Sequence, residues 1–131
     1  MTGEADRVPL ALIIEDDEKL SIIFTEALRQ AGFDPRVIHD GAGAFSAIQA
    51  NRPAVVILDL HLPHVSGNEI LKAIRQTDSL TLTRVIITTA DAVLAETLRA
   101  QCDLILIKPI SYLQLRDLAR QMRAAITTAV D

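Results

Sequence analysis

The chain has 131 residues, half of them apolar, with 3% aromatics, one cysteine and a formal charge of −4. That length is enough for one domain with an Ile, Leu, Val and Ala core and no disulfide framework. The acidic balance argues against direct nucleic-acid binding, and no apolar run approaches the roughly 20 residues of a membrane span.

The opening MTGEADRVP lacks the hydrophobic stretch of a signal peptide, so a cytoplasmic location is expected. Residues 1–8 are polar and expected to be a flexible terminus, with one domain over residues 9–127. The apolar run Leu10–Ile14 predicts a first strand. Leu20, Ile23, Phe24, Ala27, Leu28 and Ala31 then recur at helical spacing, and Gly32 supplies a natural helix stop. Pro35–Ile38 reads as an edge strand, where proline is tolerated. Phe45 and Ile48 mark a shorter helix, and Ala54–Leu58 a third strand. Ser66 and Glu69 form a potential capping box before Ile70, Leu71 and Ile74. A fourth strand spans Val85–Thr88, and Asp91 can cap a helix carrying Leu94 and Leu98. Cys102 reads as a small residue near the fifth strand, Leu104–Ile107. Ser111 and Gln114 then open a last helix with Leu115, Leu118, Met122 and Ile126 on its inner face. The chain ends with that helix, so no output domain is expected within it.

Four of the five runs are continuously apolar, the pattern of strands buried on both faces. Alternating strands and helices require parallel pairing with right-handed crossovers. The expected fold is α/β: a (βα)5 doubly wound, parallel five-stranded sheet in a three-layer sandwich. Its site should lie outside the carboxyl ends of the strands, at the switch in strand order. Those ends carry Glu15-Asp16-Asp17, Asp59, Thr88-Thr89 and Lys108-Pro109. Clustered carboxylates repel unless a cation intervenes, and oxygen ligands of this kind suit Mg²⁺. Such an ion would leave one carboxylate free as a nucleophile toward a phosphoryl group. Thr89 could donate a hydrogen bond to a phosphoryl oxygen, and Lys108 would supply positive charge opposite the metal.

The stretches ALIIEDD, VVILDLHLPHVSGNEIL, VIITTA and ILIKP together resemble the receiver domain of two-component response regulators, over about residues 8–127. The resemblance implies a flavodoxin-like layout, with Asp59 as phosphoacceptor and Asp16 as a direct Mg²⁺ ligand. Glu15 would act largely through metal-bound water, and His61 would offer its backbone carbonyl. It also implies Thr89 as the switch hydroxyl, matches Pro63 and Gly67 to the following loop and helix start, and makes the Lys108–Pro109 bond cis. The implied partners are a sensor histidine kinase or phosphotransfer protein and a downstream output protein or domain. Homodimerisation through the fourth helix, fifth strand and fifth helix is a further implication. No enzymatic activity is implied beyond self-phosphorylation and slow dephosphorylation.

Two positions depart from the pattern. Ile105 stands three residues before Lys108, where the family commonly has Tyr or Phe, so the usual coupling between hydroxyl and aromatic ring is in question. The stretch from Thr89 to Lys108 is also a few residues short and lacks a glycine turn, so a shortened or displaced fourth helix is expected. His61 and Asp91 lie where family members tune hydrolysis of the acyl phosphate, whereas His39 and His64 receive no role. Two other classes stay open. One is a phosphorylation-independent interaction module, favoured by Ile105 and the short fourth segment. The other is a phosphatase of the haloacid-dehalogenase type, disfavoured because His61 occupies the place of its second Asp.

Overall fold

The computed structural model describes residues 8–130, with side chains through Ile126; the expected flexible terminus lies almost wholly outside the described residues. In chain order the elements are β1 (Leu10–Ile14), α1 (Glu18–Gln30), β2 (Asp34–Ile38), α2 (Ala44–Asn51), β3 (Val55–Asp59), α3 (Gly67–Arg75), β4 (Arg84–Thr89), α4 (Ala92–Thr97), β5 (Leu104–Ile107) and α5 (Tyr112–Val130). Single 3-10 turns at Gly41–Gly43, Asp78–Leu80 and Arg99–Gln101 join some of them. No helix among the described residues is long and apolar enough to cross a membrane.

All strand pairs are parallel, in the order β2-β1-β3-β4-β5. The order reverses at β1, so the crevice outside the ends of β1 and β3 is the natural site position. Successive strand residues point to opposite faces. Ile13, Ile57 and Ile86 accordingly pack with Phe24 and Leu28 of α1 and Leu115 of α5. Ile14, Leu58 and Ile87 pack on the other side with Ile48 of α2, Leu71 of α3 and Leu98 beyond α4. The two clusters make the sheet the middle of three layers.

The unbroken apolar run of β5 reads as a strand buried on both faces, yet only Leu106 of its four residues is fully buried. Ile107 is 40% exposed. The reason is position: β5 is the second sheet edge, a property of strand order rather than of composition. β2 is the other edge, as its proline suggests.

Helix ends follow their sequence signals. Asp17 caps α1 by accepting from Leu20 N–H at 3.0 Å. The helix closes with Phe33 N–H on Leu28 O at 3.0 Å around Gly32, whose φ of 99° favours glycine. Asp91 accepts from Leu94 N–H at 3.0 Å, and Ser111 from Gln114 N–H at 3.0 Å. Ser66 caps α3 through Asn68 N–H at 3.2 Å, but the expected box with Glu69 does not form: Glu69 N–H bonds the Ser66 carbonyl oxygen at 3.0 Å instead.

The fourth helix is short, as the sequence suggests: six residues, followed by the Arg99–Gln101 turn. A single guanidinium anchors this abbreviated connection. Arg75 donates to Gln101 O at 2.7 Å, to Thr83 O at 2.9 Å and to Asp103 Oδ2 at 3.1 Å. The same Asp103 oxygen accepts from Val85 N–H at 2.7 Å. One side chain at the end of α3 thereby holds the starts of β4 and β5, at the end of the sheet opposite the acidic rim.

Candidate functional site

The rim is assembled by strand ends that arrive at one level. β1 stops at Ile14 beside Leu58, and β3 stops at Asp59 beside Thr88. Glu15 follows β1 and Asp59 closes β3, so both carboxylates stand at this end of the sheet, while Leu60 turns back into the core. Helix α3 starts hard against β3, and that approach requires Gly67. A Cβ there would sit 2.5 Å from Asp59 O and 2.7 Å from Leu60 Cα.

Asp59 is 2% exposed and Glu15 only 1%. Asp59 Oδ1 accepts from His61 N–H at 3.0 Å, and Oδ2 from Lys108 Nζ at 3.2 Å. Lys108 Nζ also lies 3.3 Å from Glu15 Oε1. That second contact is ionic without a directed hydrogen bond, and Oε1 is a buried oxygen with no hydrogen-bond partner. Glu15 Oε2 accepts from Asp17 N–H at 3.2 Å. With the exposed Asp16, carboxylate oxygens of Glu15 and Asp59 lie within 4.8 Å of one another.

The electrostatics follow from this crowding. Burial, reinforced by the close Asp59 carboxylate, pushes the Glu15 carboxyl up to about 7; Asp17 N–H and Lys108 only partly oppose the rise. For Lys108, burial by itself lowers the pKa, but the charges of Asp59 and Glu15 outweigh it and raise the group. The ammonium is therefore locked in its charged form between two carboxylates, one cation for three acidic groups.

The structure brings Glu15, Asp16, Asp59 and Lys108 together, as their positions at strand ends suggest. His61 contributes its N–H to Asp59 and leaves its side chain exposed in an open groove with Asp16, Leu62, His64 and Leu94. Thr89 is fully buried one residue beyond Asp59's register partner, and its Oγ1 accepts from Asp91 N–H at 3.0 Å rather than bonding Asp59. The Lys108–Pro109 peptide is cis. Ile105 is half-buried against the α2, α3 and α4 cluster, paired in register with Ile87. Cys102 is half-buried just before β5, and burial raises its thiol pKa, which fits a packing role.

One contact was not legible in the sequence. His39 Nδ1 lies 3.1 Å from the backbone carbonyl oxygen of Glu15, across 24 residues of chain. An isolated histidine carries no motif; only the β1–β2 pairing brings it there.

Comparison with known proteins places the geometry. Residues 11–120 match the family model described as the response regulator receiver domain. The transcriptional regulatory protein TrcR of Mycobacterium tuberculosis is 34% identical over 93% of this chain and 47% of its own length. The sensory transduction protein RegX3 of Mycolicibacterium smegmatis is 30% identical over 92% of this chain and 51% of its own. The DNA-binding response regulator MtrA of the same organism is 41% identical over 49% of this chain and 28% of its own. The chain thus spans about half or less of these relatives' lengths. Among solved structures, a signal receiver domain from Vibrio parahaemolyticus superposes with a TM-score of 0.82 at 29% identity, covering 95% of this chain and 98% of that one. Chemotaxis response regulator CheY4 of Vibrio cholerae shares the fold, with a TM-score of 0.80 at 22% identity over 88% of this chain and 99% of its own.

Proposed function

The chain belongs to the response regulator receiver domain family of two-component systems, and from that premise we propose that it accepts a phosphoryl group on Asp59, from a histidine kinase or phosphotransfer protein, in a Mg²⁺-dependent reaction. The observation that carries the proposal is the buried pair Glu15 and Asp59 sharing one ammonium, with Glu15 Oε1 left without a hydrogen bond. Three clustered carboxylates, two of them sharing one lysine, leave an excess of hard oxygen donors, and that donor set fits Mg²⁺. Glu15, Asp16, Asp59 and the His61 carbonyl would hold the ion. When bound, it would neutralise the carboxylates and polarise the incoming phosphoryl oxygens.

The protein's own groups divide the remaining work. The Asp59 carboxylate is held at both oxygens, by His61 N–H and Lys108, so its direction of attack is fixed before a donor arrives. Attack by one oxygen forms the aspartyl O–P bond as the donor's P–N bond breaks, and the departing imidazole keeps the bond pair and takes up a proton. Lys108 already contacts the reacting carboxylate and can follow the charge onto the phosphoryl oxygens. Thr89 Oγ1 accepts from Asp91 N–H, which leaves its own proton available for a phosphoryl oxygen. His61 lines the groove that a hydrolytic water would use.

Output would pass through the face formed by α4, β5 and α5, which exposes Val93, Ile107 and Leu113 to 80%, 40% and 55%. A partner protein or a second copy of the chain would cover that apolar surface. Ile105 favours a second reading, a module that binds partners without phosphorylation, since its aliphatic side chain has no polar tip to follow Thr89.

Acetyl phosphate with Mg²⁺, followed by intact mass, separates these readings. The wild type should gain one phosphoryl group and Asp59→Asn none. Absence of an Asp59-dependent gain would leave the interaction module as the better account. His61→Ala should change the lifetime of the phosphorylated form; an unaltered lifetime would remove His61 from the hydrolytic path.

A further inference from the structure

The acidic pair sits just past the point where the β1–β2 ladder ends. The last register pair is Ile14 with Ile38, and one more bond follows, Glu15 N–H to Ile38 O at 3.2 Å. In a parallel ladder the next bond would run from Asp40 N–H to the Glu15 carbonyl. The chain does not continue that way. Asp40 turns out of the strand into Gly41–Gly43 and uses its own side chain to cap Ala42 N–H at 2.9 Å. The Glu15 carbonyl is met instead by His39 Nδ1, at 3.1 Å. A carbonyl oxygen only accepts, so Nδ1 carries the proton in this contact.

We infer that His39 is a positioning residue for the acidic pair, its imidazole N–H standing in for the ladder bond lost where β2 turns away. The peptide whose carbonyl it holds is the one that joins Glu15 to Asp16. That peptide plane directs Glu15 on one side and Asp16 on the other. With Ile38 O on the preceding N–H, the end of β2 grips both peptide groups flanking the Glu15 Cα. Glu15 also has Asp17 N–H and Lys108 on its own oxygens, whereas Asp16 is aimed by this backbone alone among the contacts described. Asp16 in particular is exposed and has little else to orient it. A Mg²⁺ site demands near-ideal geometry from its few protein ligands, so a loosened peptide would be felt as weaker ion binding.

This inference rests on the reading of the acidic rim as a Mg²⁺ site. Its test is a titration of the full chain with Mg²⁺, without a phosphodonor, followed by backbone amide NMR shifts. His39→Leu removes the donor. His39→Asn keeps an amide nitrogen at the same number of bonds from Cβ as Nδ1. Partners one step behind a ligand typically tune metal affinity by about 10- to 100-fold, and His39 acts through a peptide, so a rise of about three- to tenfold in half-saturation is expected for His39→Leu. His39→Asn should stay near wild type.

A His39→Leu affinity within about twofold of wild type overturns the inference, as does a His39→Asn chain as weak as His39→Leu. A purely structural role would lower the urea midpoint without moving the Mg²⁺ curve, and that outcome also overturns it. Should His39→Leu fail to fold, His39→Asn is compared with His39→Gln, whose nitrogen lies one methylene further out; equal affinities sink the idea. A wild type without Mg²⁺-dependent shifts would defeat the underlying reading and the inference with it. A wild type that binds Mg²⁺ regardless of residue 39 defeats the inference alone.

Discussion

Replacing Glu15 by glutamine keeps the shape of the side chain and removes its charge, which isolates what burial of that carboxylate costs. In the metal-free protein the folded state holds the Glu15 proton far more tightly than the unfolded chain does, with a pKa of about 7 against 4.5. The group's contribution to stability is therefore fully present below pH 4.5 and is lost as pH rises through about 7. Each unit is about 1.4 kcal/mol, so the full loss is about 3 kcal/mol, of which about 2 to 3 falls between pH 5 and 8. Urea unfolding with EDTA reads this directly. With a slope of about 1–3 kcal/mol per molar, the wild-type midpoint should fall by about 1–2 M relative to Glu15→Gln over that range. Other groups titrate as well, but they do so in both chains, so the difference between the two curves carries the information. Saturating Mg²⁺ should shrink that difference, since a bound cation stabilises the ionised carboxylate. Parallel loss of stability in both chains from pH 5 to pH 8 would refute the reasoning.

Gly67→Ala would place a methyl 2.5 Å from Asp59 O and should destabilise the domain by about 2–3 kcal/mol, measured as a lowered urea midpoint; wild-type stability would show that α3 has room to retreat. Thr88 is fully buried and its Oγ1 lacks a hydrogen-bond partner. Thr88→Val keeps the shape and deletes the unsatisfied group, so a gain of about 1 kcal/mol and a higher thermal midpoint are expected. A lower midpoint would mean that the hydroxyl is serving a contact.

The sheet was largely legible because burial on two faces leaves unbroken apolar runs, and the residue that ends each run marks where a strand meets solvent. Asp59 and Lys108 could be placed at one rim on that ground alone, although 49 residues separate them. What a run of apolar residues does not carry is lateral order. β5 therefore read as fully enclosed when it is an edge. Contacts that depend on which strands are neighbours were hidden for the same reason. His39 on Glu15 needs β2 beside β1, and Arg75 on Asp103 needs the ends of α3 and the start of β5 at one corner. Asp17 reads as one of an acidic triplet in the sequence, whereas in the structure it caps α1. The protonation behaviour of Glu15 depends on a burial that composition does not encode.

The close seat of α3 on β3 has a mechanical side. The main chain at Asp59 is gripped from several directions: β3 pairs with β1 up to Leu58, Asp59 lies in register with Thr88, Leu60 N–H bonds Thr88 O, and Gly67 leaves no gap behind the carbonyl. The backbone at Asp59 is thus held by strand pairing on both sides and by the close seat of α3. By contrast, the α4 that follows Thr89 is only six residues long. A charge placed on Asp59 would therefore act from a backbone already held in place, and any adjustment would fall to the groups around it.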